Sequence, residues 1–294
     1  MKKKIISGLL FTAVIALAAG VFAACSSSSD STVEAAAVVS SVQLSDTDVI
    51  VDADETETSF TLDAGLAISE EGGEITMSWS TSSSSVATVE DTSVTDDDGN
   101  TAYSASVTVK GEGIAVITAS AGNKSATCVV AVAGTVLKDG DSLADALAAA
   151  EDGDVIGLEA GAYEGGVCTA DGISLAGAGR ESVQISGGVT LSGESFVSGV
   201  TIAAEDEGTD TTGLTVTDAD DKTVTLRNAE ISGFTYGVAA DGAKCVLAVS
   251  YFVDCTWAVS AGSITTVLQV SFTDVTYQAC LNGISYVRIG GDPE

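Results

Sequence analysis

The chain has 294 residues, a formal net charge of −31 and no histidine. A surface this acidic repels phosphate backbones, which excludes nucleic acid as a partner, and it repels anionic polysaccharide unless a cation bridges the two. An apolar content of 45% excludes a disordered chain, and abundant Val, Thr, Ser and Gly beside a single proline predict an all-β protein.

Residues 1–25 begin with Lys2, Lys3 and Lys4, continue as an apolar run from Ile5 and end in Ala23-Ala24 before Cys25. A charged start, an apolar middle and small residues at the cut are the parts of a secretory signal. Gly20 interrupts the run and no basic stop follows it, so no membrane span is expected. With cysteine at the cleavage point, the segment resembles the lipobox of bacterial lipoproteins. The resemblance implies removal of residues 1–24, lipidation of Cys25, and anchorage in the cell envelope at the outer membrane or cell surface. A plain secretory signal with a coincidental cysteine is the competing reading. The run Ser26 to Asp30 begins a polar tether over residues 25–39.

Residues 40–133 read as short alternating strands. Ile75 to Trp79 alternates with period two, Val86 to Val89 follows a serine cluster, and Asp98-Gly99-Asn100 is a hairpin signal between residues 92–96 and 101–110. Residues 114–119 and 126–132 follow, joined by a turn at 121–124. About seven short strands of this kind fit an Ig-like sandwich. Trp79-Ser80-Thr81-Ser82, Val86 to Val89, Gly113 to Ala119 and Lys124 to Cys128 resemble bacterial Ig-like domains of the group 2 kind, found in surface adhesins. Trp79 is then expected between the two sheets.

Residues 134–294 have a different texture. Asp141 to Ala150 predicts a helix, with Ser142 as N-cap, Asp145 three residues on, and Leu143, Ala146, Leu147 and Ala150 as its apolar stripe. This helix, followed by GDVIGLEAGAY from Gly153 and ISLAGAG from Ile173, resembles the start of right-handed parallel β-helices of the pectin-lyase-like kind. An internal repeat points the same way. Segments centred on Thr201, Thr235, Thr256 and Thr276 align, and the last two intervals are 21 and 20 residues. Such a period marks a solenoid whose turns stack at about 4.8 Å. Two ladders are expected, one of Val200, Phe234, Cys255 and Val275, the other of Ile202, Tyr236, Trp257 and Tyr277. The helix is expected to cover the N-terminal end, and no comparable cap follows Arg288. The fold class is thus all-β: an Ig-like sandwich, then a short right-handed parallel β-helix with an N-terminal capping helix.

Catalytic candidates are sparse. Asp254 and Asp274 are expected to stack on adjacent turns, where paired carboxylates raise one another's pKa. Corner aspartates that cap backbone amides are the competing reading. The group Asp218, Asp220, Asp221, Lys222 and Arg227 reads as a solvated acidic turn. If an ion binds, calcium fits best, through the oxygen-rich loops holding Asp96 and Asp98, or Glu205, Glu207 and Asp210. Tyr236, Trp257 and Tyr277 form a column that either binds sugar or, as the neighbouring apolar residues favour, fills the interior. The cysteines other than Cys25 are 128, 168, 245, 255 and 280; no CxxC pair exists, and strand patterns predict buried free thiols over disulfides. The expected function is non-enzymatic, surface adhesion or carbohydrate binding, with polysaccharide or a surface protein as partner. The alternatives are a polysaccharide lyase or hydrolase of the pectin-lyase-like fold, or a purely structural envelope component.

Overall fold

The computed structural model describes residues 6–7, 37–55, 58–70, 72–97, 99–205, 211–281 and 284–286. They form an all-β fold with one short helix, an Ig-like sandwich leading into a parallel β-solenoid of about seven turns. Cys25, Asp98, Glu207 and Asp210 lie outside the described residues.

In the sandwich, one sheet runs Asp48–Asp52, Lys124–Ala133, Gly113–Ala121, Met77–Thr81, with Ile6–Ser7 paired antiparallel to Val49 and Ile50 at its outer edge. The other runs Val38–Leu44, Ser59–Glu70, Thr101–Val109, Ala87–Asp91, with Val94–Thr95 against Thr101 and Ala102. Alternation sets which side chains enter the core. Along Gly113–Ala121, Ala115, Ile117 and Ala119 are fully buried and the residues between them are not. Trp79 packs half-buried against this core.

Each full turn of the solenoid has three strands, on three faces. One face stacks Val155–Leu158, Ser174–Gly177, Ser195–Ser198 and Thr223–Arg227, then the second halves of Tyr236–Ala248 and Trp257–Leu268. A second stacks Gly161–Glu164, Val183–Ser186, Thr201–Ala203, Glu230–Ser232, Tyr251–Val253 and Ser271–Thr273. The third stacks Val167–Asp171, Val189–Ser192 and Thr212–Thr217, the first halves of Tyr236–Ala248 and Trp257–Leu268, and Tyr277–Leu281.

Three interior ladders follow from this parallel register. The first is Ile156, Leu175, Val197, Leu226, Leu247, Val267. The second is Tyr163, Ile185, Ile202, Ile231, Phe252, Phe272. The third is Val189, Leu214, Val238, Val259, Ala279. Each buried Leu, Ile or Phe rung contributes roughly 2 kcal/mol by leaving water.

The register corrects one expectation. Ile202 stacks on Ile231, not on Tyr236. The Ser-Gly pairs at 198–199 and 232–233 look alike because both close a corner that needs positive φ, with Gly199 at 64° and Gly233 at 83°. They close different corners, so the segment at Thr201 belongs to another face from that at Thr235.

The helix Leu143–Ala149 covers the N-terminal end, burying Leu143 and Leu147. Ser142 caps it as expected, its Oγ accepting from Asp145 N at 3.1 Å. Sandwich and solenoid meet along the first face, where Ile50, Ala131 and Ala133 join the solenoid's core.

Candidate functional site

Asp254 and Asp274 are exposed corner residues with φ of 51° and 53°. They follow Val253 and Thr273 in the stack, as Gly233 follows Ser232. Aspartate tolerates the left-handed region better than most residues, so backbone geometry alone accounts for both. The ion pairs formed at the described residues join Arg180 to Glu181 and Glu230, Lys222 to Asp171, and Lys244 to Asp221. Neither Asp254 nor Asp274 is among them.

Tyr236, Trp257 and Tyr277 do form a column. Their ring centroids are 6.4 and 4.1 Å apart and the planes lie within 13° and 19° of parallel. The column is half-buried, which corrects the expectation that it fills the interior. The interior is taken by Val238, Val259 and Ala279, while a Cβ on Gly237 would lie 2.8 Å from the Phe252 ring. Gly237 therefore faces inward, and the partial exposure of Tyr236, Trp257 and Tyr277 sets their column at the edge of the interior. The faces of the rings are turned to one another, which supports the stack by about 0.5–1.5 kcal/mol per pair but leaves mainly edges for a ligand.

Among the described residues, a concave site lies on the first face. A groove of about 380 Å³ has Phe196 in its lining, with Ser174 and Thr225 on either side in the same rung order. Val197 belongs to an interior ladder, so alternation turns Phe196 outward. Asp171, Glu194 and Lys222 come from the corner between the third and first faces. Lys222 Nζ donates to Asp171 Oδ2 at 3.2 Å, and Glu194 N donates to Asp171 Oδ1 at 3.2 Å. Its bond to Lys222 holds the Asp171 carboxyl below the usual range. Gly193, at φ 71°, makes room for this carboxylate: a Cβ there would sit 1.4 Å from Asp171 Oδ1. Lys222 lies in the segment read from sequence as an acidic turn; Phe196 and Asp171 were not singled out. Phe196 had a signal, the outward parity of a residue beside an inward Val197, but only once the register is known.

A second polar cluster sits where the sandwich meets the solenoid. Asp48 is 1% exposed. Asn228 Nδ2 donates to its Oδ2 and, at 3.1 Å, to Thr47 Oγ1. Arg227 Nη2 donates to Thr127 Oγ1 at 2.8 Å. Neither Asp48 Oδ1 nor the fully buried Ser198 Oγ completes a hydrogen bond. Burial pushes the Asp48 carboxyl up to about 7, against the pull of Asn228, Thr47, Ser198 and the Arg227 charge.

Among the described residues, no three His, Cys, Asp or Glu side chains gather as for a metal ion. Asp96 closes its hairpin turn, accepting from Asn100 N at 2.7 Å and Asn100 Nδ2 at 3.1 Å, and Glu205 is exposed. Cys128, Cys168, Cys245 and Cys255 are buried free thiols and Cys280 is a half-buried one. Burial pushes the Cys245 thiol up to about 12 and the Cys128 and Cys255 thiols above their ordinary value. Such thiols pack as small hydrophobes. No helix among the described residues is long and apolar enough to cross a membrane.

No family model and no curated protein matches the chain. Among solved structures, the S-layer protein rSbsC(31-844) is 19% identical over 34% of this chain and 14% of its own, with a TM-score of 0.28. Domains 5–6 of the S-layer protein SbsC are 18% identical over 37% of this chain and 56% of theirs, also with a TM-score of 0.28. The chain thus spans about a seventh of the first of these proteins and little more than half of the second, and likenesses this weak carry no argument about fold or function.

Proposed function

We propose that the chain is a lipid-anchored protein of the bacterial cell envelope, displayed at the outer membrane or cell surface, whose solenoid binds neutral polysaccharide without catalysis. The groove over Phe196 carries this reading. A part-exposed aromatic ring beside hydroxyls and carboxylates offers a sugar an apolar face and hydrogen bonds to its hydroxyls. The net charge of −31 disfavours anionic glycans. Binding is favoured over lyase or hydrolase chemistry by the state of the groove's charges. The Lys222–Asp171 pair holds the Asp171 carboxyl below its usual range, which leaves it without a proton to give. Asp254 and Asp274 lie apart from the groove, whose lining includes neither. Anchorage rests on the lipobox-like sequence ending in Cys25. Cleavage before Cys25 removes Ile6–Ser7 and frees the edge of Asp48–Asp52 at Val49 and Ile50.

The test is an array of neutral glycans probed with the chain and with Phe196→Ala, with and without calcium. Binding that Phe196→Ala abolishes, at unchanged thermal stability, supports the groove. Binding to no glycan defeats the carbohydrate reading and leaves protein adhesion. Mass spectrometry of the purified chain tests the anchor, and an unmodified Cys25 overturns it.

A further inference from the structure

We propose that Glu194 sets the specificity of the groove, its carboxylate accepting from two adjacent equatorial hydroxyls of a neutral pyranose whose ring lies over Phe196. The proposal rests on the polysaccharide-binding reading and names the feature of the sugar that the groove selects. Its basis is where the groove's carboxylate oxygens are already engaged. Asp171 uses both of its own, Oδ1 on Glu194 N and Oδ2 on Lys222 Nζ, each at 3.2 Å. Asp152 uses Oδ1 on Asp171 N at 2.8 Å. Glu194 is exposed, and among the described residues its carboxylate takes part in no hydrogen bond or ion pair. Of the carboxylates lining the groove, Glu194 is thus the one that keeps both oxygens for a ligand.

The chain places that carboxylate beside the Phe196 ring. Ser195 and Val197 are buried, so alternation turns Glu194 and Phe196 to the same outer side. Two positions of extended chain span about 6.6 Å, which sets the carboxylate at the edge of the ring, not over its face. The backbone at Glu194 is held in advance of any ligand. Its N–H is bound to Asp171 Oδ1, and Gly193, at φ 71°, leaves the space that the Asp171 carboxylate occupies. Asp171 is therefore a positioning residue for Glu194. Ser174 and Thr225, one turn to either side of Phe196, supply hydroxyls for the rest of the sugar.

A pyranose stacked on an aromatic ring points its equatorial hydroxyls outward, in the plane of its own ring. A carboxylate at the edge meets two adjacent ones, and each hydroxyl donates to one oxygen. A carboxylate only accepts, so a methylated or acylated sugar oxygen has nothing to give it and leaves its charge without a partner. An axial hydroxyl leaves the plane and misses one of the two oxygens. A uronic acid is repelled by the charge of Glu194 itself. The ligand class is a neutral glycan with free, adjacent equatorial hydroxyls, such as an unsubstituted β-1,4-linked glucose chain.

Isothermal titration calorimetry tests this with cellohexaose, permethylated cellohexaose and β-1,4-mannohexaose, whose internal O2 hydroxyls are axial. The chain should bind cellohexaose, bind mannohexaose about tenfold more weakly and not bind the permethylated sugar. Glu194→Gln keeps the side chain's shape but not its charge, and should weaken cellohexaose binding about tenfold or more at an unchanged thermal midpoint. Cellohexaose binding that Phe196→Ala abolishes and Glu194→Gln leaves alone would overturn the role of Glu194 while keeping the groove as a sugar site. Equal binding of the permethylated sugar or of mannohexaose would overturn the hydroxyl pair in the same way. If another neutral glycan binds through Phe196 and none of these three does, this proposal alone falls; if no neutral glycan binds at all, the polysaccharide reading falls with it.

Discussion

Replacing Asp48 by asparagine should make the protein more stable at neutral pH, a reversal of what removing a hydrogen-bonded carboxylate usually does. Asp48 is 1% exposed at the seam between sandwich and solenoid, and burial lifts its carboxyl to about 7. In the unfolded chain it titrates near 3.9. Because the folded value is the higher one, the folded state holds a proton that the unfolded state has released. The resulting contribution is fully present below about pH 4 and is lost as pH rises towards 7. The gap between about 3.9 and about 7 corresponds to on the order of 4 kcal/mol. The amide of the Asp48→Asn variant would keep an oxygen to accept from Asn228 Nδ2 and would add a donor on the side of Ser198 Oγ. Urea unfolding of both proteins from pH 4 to 8, followed by tryptophan fluorescence, measures the difference. Trp79 reports the sandwich and Trp257 the solenoid. The two proteins should be similar near pH 4, and Asp48→Asn should be the more stable by a margin that grows to several kcal/mol by pH 8. A difference that stays constant across the range, or a variant weaker than wild type at pH 8, would refute the reasoning.

Val249 sits at φ 52° in the corner column formed by Gly199, Asn228 and Gln269, a conformation that is costly for a β-branched residue. Val249→Asn should recover about 1 kcal/mol of a strain of roughly 1–2 kcal/mol, seen as a raised thermal midpoint; a lowered midpoint would show that its side-chain contacts outweigh the backbone. Gly157 lies where the two units touch, and a Cβ there would come within 2.6 Å of Ile50 Cγ2 and 3.1 Å of Ala133 Cβ. Gly157→Val should therefore cost about 1–3 kcal/mol and separate the Trp79 and Trp257 unfolding transitions; transitions that remain coincident would place the coupling elsewhere.

What was legible in the sequence is what repeats or alternates locally. The helix and its Ser142 cap, the strand alternation of the sandwich and the spacing of Tyr236, Trp257 and Tyr277 all rest on side chains within a turn of one another. The register of the Thr201 segment was not legible. A corner demands only a residue that tolerates positive φ, and Ser-Gly meets that demand at two different corners of the solenoid. Gln269 and Val249 hide the corner signal altogether, since nothing in their side chains favours it. The groove and Asp48 were hidden for another reason. Phe196 faces solvent only because Val197 faces in, and Asp48 is buried only because Asn228, 180 residues away, closes over it. Both depend on stacking between turns, which composition and periodicity do not encode.

The strand Thr223–Arg227 connects these two places. Thr223 and Thr225 line the groove, while Arg227 and then Asn228 reach Thr127, Thr47 and Asp48 in the sandwich. The sandwich strand Lys124–Ala133 in turn leads through Gly134 into the solenoid's first strand, Thr135–Leu137. A load on a ligand in the groove would thus cross to the sandwich along one extended strand and a buried polar seam, with core residues Ile50, Ala131 and Ala133 packed on the solenoid beside it. Loops that flex would dissipate such a load; a shared core passes it on, because close-packed interiors have low compressibility and transmit strain. The Asp48 carboxyl, buried in that seam, then sets how firmly the two rigid parts are joined at a given pH.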